Sequence, residues 1–262
     1  MAPLWHHYGA NASHSGAKYV PRWRRAPPAS MPGMSDPATS PALPPVILVH
    51  GFASSSEHNW VRSGWRDALE SRGHPVVLMD LPGHGGNGRP GGGLAAVGQL
   101  TELAGGYPEV DLIGFSAGAR VCALAAASGQ LPVRRLVLAG LGDSSLAGAD
   151  RGADDAISLT GPLDDGDIRG RLFRRMAVSA GNDPRALEAF LAAPAGDLTA
   201  GALARIACPT LVIIGERDHL GPASQLAASL PDSRLVTLPR IDHFATTSRI
   251  EAIMAALSFL AG

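Results

Sequence analysis

The stretch that decides the fold is residues 110–118, VDLIGFSAG. Its branched apolar start predicts a β-strand over Val110–Ile113, and the alanine-rich sequence that follows predicts a helix over Ala117–Ser128. A G-x-S-x-G pattern centred on Ser116 joins the two elements. Between a strand and a helix this pattern predicts a sharp, strained turn that exposes the serine hydroxyl at the carboxyl end of a sheet.

Short apolar runs recur along the chain, separated by segments long enough to form helices. The further predicted strands are Val46–Val49, Val76–Met79, Leu136–Ala139, Leu211–Ile214 and Leu235–Leu238. The further predicted helices are Trp60–Arg72, Leu94–Ala104, Pro222–Leu230 and Ser248–Leu260. Alternation of buried strands with helices is typical of the α/β class, in which helices flank a mostly parallel central sheet.

Residues 141–206 interrupt this alternation. They contain no strand pattern, but the segments Ile168–Ser179 and Pro184–Ala193 are amphipathic. A structureless loop of such length is rare in a compact domain, so we predict a short helical lid insertion over 141–206. The α/β core then comprises residues 44–140 and 207–262.

The first 43 residues differ in composition from the rest. They are rich in Pro, Ser, Ala and Gly, and no acidic residue precedes Asp36. No apolar segment follows their basic residues, so they are not a secretory signal peptide. We predict a disordered basic tail, and leave open a transit segment or a true start at Met31 or Met34.

Composition argues against several kinds of partner. The net charge of -1 gives no reason to expect nucleic acid or an anionic membrane surface. No apolar run approaches the ~20 residues that a membrane-spanning helix needs. Cys122 and Cys208 lie in apolar surroundings without metal-ligand spacing and are interpreted as buried thiols. The expected location is therefore the cytoplasm.

A serine hydroxyl becomes a strong nucleophile only when a base, itself held by a third group, removes its proton. Asp218 lies just beyond the predicted strand Leu211–Ile214, and His243 lies just beyond the last predicted strand. The order serine, acid, histidine is the one expected for a catalytic triad on this kind of sheet. Ser116, Asp218 and His243 are therefore the predicted catalytic residues, and Asp143, which follows another strand, is an alternative acid.

Five marks in sequence order make the chain resemble the α/β-hydrolase family, of the lipase, esterase and C–C hydrolase kind. They are His50-Gly51-Phe52, Asp80-Leu81-Pro82-Gly83-His84-Gly85, the serine turn, Gly215-Glu216-Arg217-Asp218 and Asp242-His243-Phe244. The resemblance covers Pro44 to Leu260 and implies the α/β-hydrolase fold. It also favours Asp218 over Asp143 as the acid, and implies an oxyanion hole formed by the amides of Phe52 and Ala117.

The expected function is hydrolysis of a carboxylic ester or thioester through an acyl-enzyme. A C–C bond hydrolase or a lactonase on the same triad is an alternative, and so is a non-catalytic binding protein on this scaffold. Residues 83–88 also satisfy the G-x-G-x-x-G pattern of nicotinamide-dependent oxidoreductases. However, Arg89-Pro90-Gly91-Gly92-Gly93 follows, and this sequence cannot open the helix that would bind a pyrophosphate.

The predicted insertion is expected to line the pocket of a small-molecule, ester-like substrate. The candidate pocket residues are Leu141, Phe173 and Met176. Four arginines cluster beside them, Arg169, Arg171, Arg174 and Arg175, with Asp164, Asp165 and Asp167 nearby. These arginines are interpreted either as a solvated helix face or as the source of a bidentate contact to an anionic substrate group. No cofactor is expected. A metal is not expected either, because His6, His7 and His14 lack cysteine or carboxylate partners.

Overall fold

The computed structural model describes residues 43–147, 157–162 and 167–262. Its strands are β1 (Val46–Val49), β2 (Val76–Met79), β3 (Val110–Phe115), β4 (Val133–Ala139), β5 (Thr210–Gly215) and β6 (Ser233–Leu238). They form a six-stranded sheet of order β2-β1-β3-β4-β5-β6, and each neighbouring pair is parallel. The predicted α/β class with a parallel central sheet is confirmed, and each predicted strand lies within an observed one.

The helices follow the predicted alternation. They are α1 (Trp65–Glu70), α2 (Gly93–Ala104), α3 (Ala117–Ala127), α4 (Ile168–Ser179), α5 (Pro184–Ala192), α6 (Ala200–Leu203), α7 (Ser224–Ala228) and α8 (Ile250–Ala261). The prediction of one helix over Trp60–Arg72 is wrong. A π-helix spans Glu57–Val61, and Gly64 adopts φ 84° before α1 begins. That left-handed conformation suits glycine and ends the helical path.

Alternating side chains of each strand pack against helices on opposite faces of the sheet. On β1, Ile47 and Val49 belong to the apolar cluster that includes buried residues of α2 and α3. Val46 and Leu48 belong to the cluster that includes buried residues of α1 and α8. Because both faces are covered, β1 is buried throughout, which explains its unbroken apolar sequence.

The regular secondary structure in the described part of the interval 141–206 consists of helices. A short 3₁₀-helix spans Asp143–Ser145, and α4, α5 and α6 follow without a strand among the described residues. Phe173 of α4 and Phe190 of α5 contact the ring of Phe52, with centroids 5.5 and 6.0 Å away. These helices therefore pack onto the loop that follows β1, and their interpretation as a lid stays a prediction.

Several sequence-based expectations concern residues outside the described ones. These include residues 1–42 of the predicted tail, with its three histidines, and also Asp164 and Asp165. Within the described ranges, no helix combines the length and the apolar character needed to cross a membrane. Both cysteines are free thiols, although Cys208, unlike Cys122, is only partly buried. Burial raises the pKa of each thiol, so neither is an activated thiolate.

An ion pair lies at the amino end of the central strands. The carboxylate of Asp111 on β3 is fully buried, and Arg134 Nε on β4 donates to its Oδ1 over 2.9 Å. Arg134 and Arg135 also donate to the carbonyl oxygen of Leu260, which fixes the end of α8. Burial raises the pKa of Asp111, and the hydrogen bond from Arg134 opposes that effect.

We expect Arg134→Met to lower the free energy of unfolding by about 3–5 kcal/mol at neutral pH, because it leaves a buried carboxylate unpaired. The deficit should shrink as the pH falls through the folded-state pKa of Asp111, since protonation removes the buried charge. Urea denaturation at several pH values measures this. The matched control Arg135→Met loses a bond to Leu260 but spares Asp111, and should cost about 1 kcal/mol. Equal losses for both variants would contradict this assignment.

Candidate active site

The turn between β3 and α3 holds Ser116 in a strained conformation, with φ 54° and ψ −116°. A Cβ atom at Gly114 would lie 2.6 Å from the Cα of Ala119, and one at Gly118 would lie 2.6 Å from the carbonyl carbon of Val49. Only glycine fits at these two positions, because backbone atoms approach there from both sides. The G-x-S-x-G pattern therefore reflects the close approach of α3 to β1 and β3.

Three side chains from separate loops form a hydrogen-bonded chain at the carboxyl edge of the sheet. His243 Nε2 lies 3.0 Å from Ser116 Oγ. His243 Nδ1 lies 3.0 and 2.9 Å from the two carboxylate oxygens of Asp218. An imidazole that donates from Nδ1 to a carboxylate keeps Nε2 as an acceptor, so it can take a proton from the serine hydroxyl.

The loops that carry the acid and the imidazole are fixed by local contacts. The amide of Leu220 donates to Asp218 Oδ1 over 2.9 Å, and the amide of Asp218 donates to the carbonyl of Gly215 at the end of β5. The ring of Phe115 packs against the imidazole of His243, with centroids 5.0 Å apart. Asp218 and His243 are both buried. Burial limits competition by water and strengthens the electrostatic interaction between them.

The structure places Asp143 in a different environment. Its Oδ1 accepts a hydrogen bond from the amide of Leu226 over 2.8 Å, and its Oδ2 accepts one from the amide of Gln225 over 3.2 Å. The hydroxyl of Ser224 is a third donor to this carboxylate. Asp143 thus binds the start of α7, whereas Asp218 is the carboxylate that is hydrogen-bonded to His243.

The loop after β1 contains the consecutive backbone amides of Gly51, Phe52 and Ala53. Side chains accept hydrogen bonds from the first and the third. The amide of Gly51 donates to Asn59 Oδ1 over 2.9 Å, and the amide of Ala53 donates to His84 Nε2 over 3.1 Å. Within the described ranges, the amides of Phe52 and Ala117 have no hydrogen-bond acceptor. The two amides predicted for the oxyanion hole therefore remain available to a ligand.

His84 keeps its neutral form at this position. Its Nδ1 lies 2.8 Å from the carbonyl oxygen of Pro82, to which it donates, so Nε2 is left to accept from Ala53. Burial lowers the pKa of His84 to about 3. The histidine within the glycine-rich motif thus fixes the backbone beside Phe52. The helix after this motif begins only at Gly93.

A cavity of about 410 Å³ opens beside Ser116 and His243. Phe173 and Met176, both predicted pocket residues, line it, together with the rings of Phe52, Phe115 and Phe244. Leu141, the third predicted residue, is not among the lining residues; it is 2% exposed and belongs to the apolar core. It follows the left-handed Gly140 at the end of β4, and this turn directs it into the protein.

Several further cavity-lining residues were not predicted from the sequence, although Arg169 belongs to the cluster that was considered there for an anionic substrate group. Arg169 of the arginine cluster lines the cavity, as do His219, Asn59 and the exposed Leu172 and Leu191. His219 packs edge-on against His243, with ring centroids 4.6 Å apart. Its position directly after the predicted acid was a usable signal. Nothing in the local sequence of Asn59 indicated its contribution.

One group of metal-ligand side chains is present in the described part of the chain. The ligand atoms of Asp218, His219 and His243 lie within 4.8 Å of one another. Two of these residues already bind each other through the hydrogen bonds between His243 Nδ1 and the carboxylate. The arrangement is therefore better suited to moving a proton than to holding a cation.

Comparison with known proteins defines the class. Residues 46–256 match the alpha/beta hydrolase family, so the chain belongs to this family and is a hydrolase. It is 28% identical over 243 residues to a pimeloyl-[acyl-carrier protein] methyl ester esterase of Xanthomonas campestris pv. campestris (strain B100), covering 82% of this chain and 93% of that protein. A 2-succinyl-6-hydroxy-2,4-cyclohexadiene-1-carboxylate synthase of Salmonella arizonae is 34% identical over 115 residues, covering 42% and 41%.

Solved structures agree on the fold. A hydrolase from Pseudomonas aeruginosa PA01 superposes with a TM-score of 0.62 at 25% identity, covering 85% of this chain and 91% of that one. The enol-lactonase from Burkholderia xenovorans LB400 gives a TM-score of 0.64 at 18% identity, with 84% and 92% covered. The predicted membership of the α/β-hydrolase superfamily is confirmed.

We expect Asp218→Asn to lower kcat for ester hydrolysis by about 10⁴-fold, because an amide no longer holds the imidazole in the required tautomer. Asp143→Asn should retain catalysis and lose about 1 kcal/mol of stability, since it weakens hydrogen bonds to the start of α7. Steady-state kinetics and thermal denaturation of both variants measure these effects. A larger kinetic loss in the Asp143 variant would identify Asp143 as the acid instead.

Proposed function

We propose that this chain hydrolyses a carboxylic ester or thioester through an acyl-enzyme on Ser116. The observation that carries the proposal is the hydrogen-bonded series from Ser116 to His243 to Asp218 at the base of a mostly apolar cavity. The similarity of 82% of the chain to a methyl ester esterase of Xanthomonas campestris supports ester cleavage.

The first half of the proposed reaction forms the acyl-enzyme. His243 Nε2 takes the proton of Ser116 as Oγ bonds to the substrate carbonyl carbon, and the electrons of the carbonyl π bond move to its oxygen. The amides of Phe52 and Ala117 stabilise that oxyanion, and loss of one such donor typically costs ~3 kcal/mol. Asp218 stabilises the imidazolium that forms. The bond to the leaving oxygen or sulfur then breaks, and His243 returns the proton to it.

The second half of the reaction regenerates the enzyme. His243 removes a proton from a water molecule, whose oxygen attacks the acyl carbon and forms a second oxyanion in the same site. The bond from that carbon to Ser116 Oγ then breaks, the carboxylic acid leaves, and the serine regains its proton from His243. The same groups thus act as base and acid in turn.

The cavity indicates the kind of substrate. Its walls are mainly aromatic and aliphatic side chains, and its rim carries the exposed residues Leu172, Leu191 and Phe244. We therefore propose a small-molecule ester with an apolar acyl group, covered by the helices of the 141–206 lid. Arg169 also lines the cavity, and we propose that it is the residue of the arginine cluster that binds an anionic substrate group.

The state of the two cysteines is relevant to the cellular location of the enzyme. Cys122 and Cys208 are both free rather than joined in a disulfide. Free thiols are typical of proteins in a reducing compartment, which supports the cytoplasm as the location of this enzyme.

We expect Ser116→Ala to abolish hydrolysis and leave the fold intact, because it removes the nucleophilic oxygen and keeps the Cβ atom and the backbone of the turn. A panel of p-nitrophenyl esters and thioesters of varied acyl length, with circular dichroism of the variant, tests this. The same panel, extended by simple lactones, discriminates among ester, thioester and lactone cleavage. A folded variant with wild-type turnover would refute the assignment of Ser116.

We expect Arg169→Met to lower kcat/KM about 10-fold for an ester that bears a carboxylate on its acyl chain, because a charge-assisted hydrogen bond is lost. A neutral ester of the same length should change less than about twofold. Arg175→Met is the matched control, since Arg175 lies on the same helix but lines a different groove. Equal effects on charged and neutral esters would show that Arg169 does not recognise charge.

A further inference from the structure

The loop after β1 presents one open amide between two occupied ones. Asn59 Oδ1 accepts the hydrogen of the Gly51 amide over 2.9 Å, and His84 Nε2 accepts that of the Ala53 amide over 3.1 Å. The amide between them, that of Phe52, has no acceptor within the described ranges. Ala53 also has a left-handed φ of 59°, so this loop holds a strained conformation that requires support.

Asn59 lies in an unusual backbone element. Residues Glu57–Val61 form a π-helix, in which the amide of Arg62 donates to the carbonyl of Glu57 over 3.0 Å. Single π-helical turns are rare and occur frequently at functional sites. Asn59 lines the cavity together with Ser116 and Phe52. The π-helical turn thus places an amide side chain directly beside the reacting groups.

The other end of the Asn59 side chain contacts the segment that carries His243. Asn59 Nδ2 donates to Thr247 Oγ1 over 3.3 Å. Thr247 is buried, and its carbonyl oxygen accepts from Trp65 Nε1 over 2.7 Å, so it is fixed from two directions. One side chain therefore bridges the loop with the open amide and the segment that follows the catalytic histidine, which are far apart in the sequence.

We propose that Asn59 is a positioning residue for the oxyanion hole. Its carbonyl oxygen orients the Gly51 amide, and this fixes the next peptide so that the Phe52 amide faces the cavity. Its amide nitrogen anchors that arrangement to Thr247, which keeps the Phe52 amide in register with His243. This inference rests on the proposed function, because it assigns Asn59 a role in the same hydrolytic reaction.

The position of the Phe52 amide matters only when charge develops on the substrate oxygen. A residue that sets this position affects the transition state more than the bound substrate. Loss of Asn59 should therefore reduce kcat and leave KM nearly unchanged. A residue that only lines the cavity would instead change KM.

The test compares Asn59→Leu, which has similar volume and no hydrogen-bonding groups, with the wild type on one p-nitrophenyl ester. We expect kcat to fall about 10-fold or more and KM to change less than about twofold, as for an impaired oxyanion donor. A trifluoromethyl ketone, which forms a tetrahedral adduct on the serine, should bind more weakly by a similar factor. A non-reactive alcohol analogue should bind unchanged.

Variants at the partner residue make the test independent of the folding of Asn59→Leu. Thr247→Val removes the acceptor for Asn59 Nδ2 and should lower kcat in the same direction by a smaller factor, whereas Thr247→Ser retains that acceptor and should remain close to the wild type. His58→Ala, in the same π-helix, is the control for general disturbance of this segment. Thermal denaturation of each variant checks that it is folded.

The outcomes separate this inference from the proposed function. One outcome is that the wild type hydrolyses the ester while Asn59→Leu shows the same kcat and the same ketone affinity, or a change in KM alone. That result would overturn the role of Asn59 and leave the proposed function standing. A folded wild type that hydrolyses no ester and fails to react with a fluorophosphonate would overturn both.

Discussion

The close approach of α3 to the central strands controls the geometry of the site. A Cβ atom at Gly114 or Gly118 would meet backbone atoms of α3 or of β1, so the helix could not begin where it does. Only with the helix in this position does Ser116 occupy its strained turn with its hydroxyl at the edge of the sheet. The same packing aims the first amides of α3 at the space in front of the serine.

The common direction of the strands brings Ser116 together with the other side chains of the candidate active site. Since all six strands run in the same direction, the loops after β1, β3, β5 and β6 emerge at one edge. They carry the open amide of Phe52, the hydroxyl of Ser116, the carboxylate of Asp218 and the imidazole of His243. Burial of the last two strengthens the hydrogen bonds between them, because little water competes. At the opposite edge, the ion pair of Asp111 and Arg134 joins β3 to β4.

Much of this could be predicted from the sequence because local patterns encode it. The strands are apolar runs, so each predicted strand lies within an observed one. The helix α4 is amphipathic and has Asp167 as its N-cap, so its predicted bounds agree with the structure. Serine, acid and histidine each follow a strand directly, and strand direction then brings them together.

By contrast, the sequence over Trp60–Arg72 predicts one helix, because nothing in the side-chain pattern distinguishes a π-helical turn and a break at Gly64 from a continuous α-helix. Contacts between distant segments, such as that of Asn59 with Thr247, depend on tertiary packing alone. Leu141 was predicted to line the pocket as part of the 141–206 insertion, but it follows a left-handed turn at Gly140 and lies in the apolar core.

The helices α4, α5 and α6 lie between β4 and β5 in the sequence and are distinct from the loops that carry Ser116, Asp218 and His243. They enter between two neighbouring strands, and α4 and α5 contact the loop after β1 through Phe173 and Phe190. None of the three hydrogen-bonded side chains, Ser116, His243 and Asp218, belongs to these helices. Under the proposed function, natural variation in this segment would change which substrates bind and leave the proposed catalytic side chains in place. Grafting the corresponding helices of a related enzyme between β4 and β5 is thus a rational route to altered selectivity, provided that an aromatic contact to Phe52 is retained.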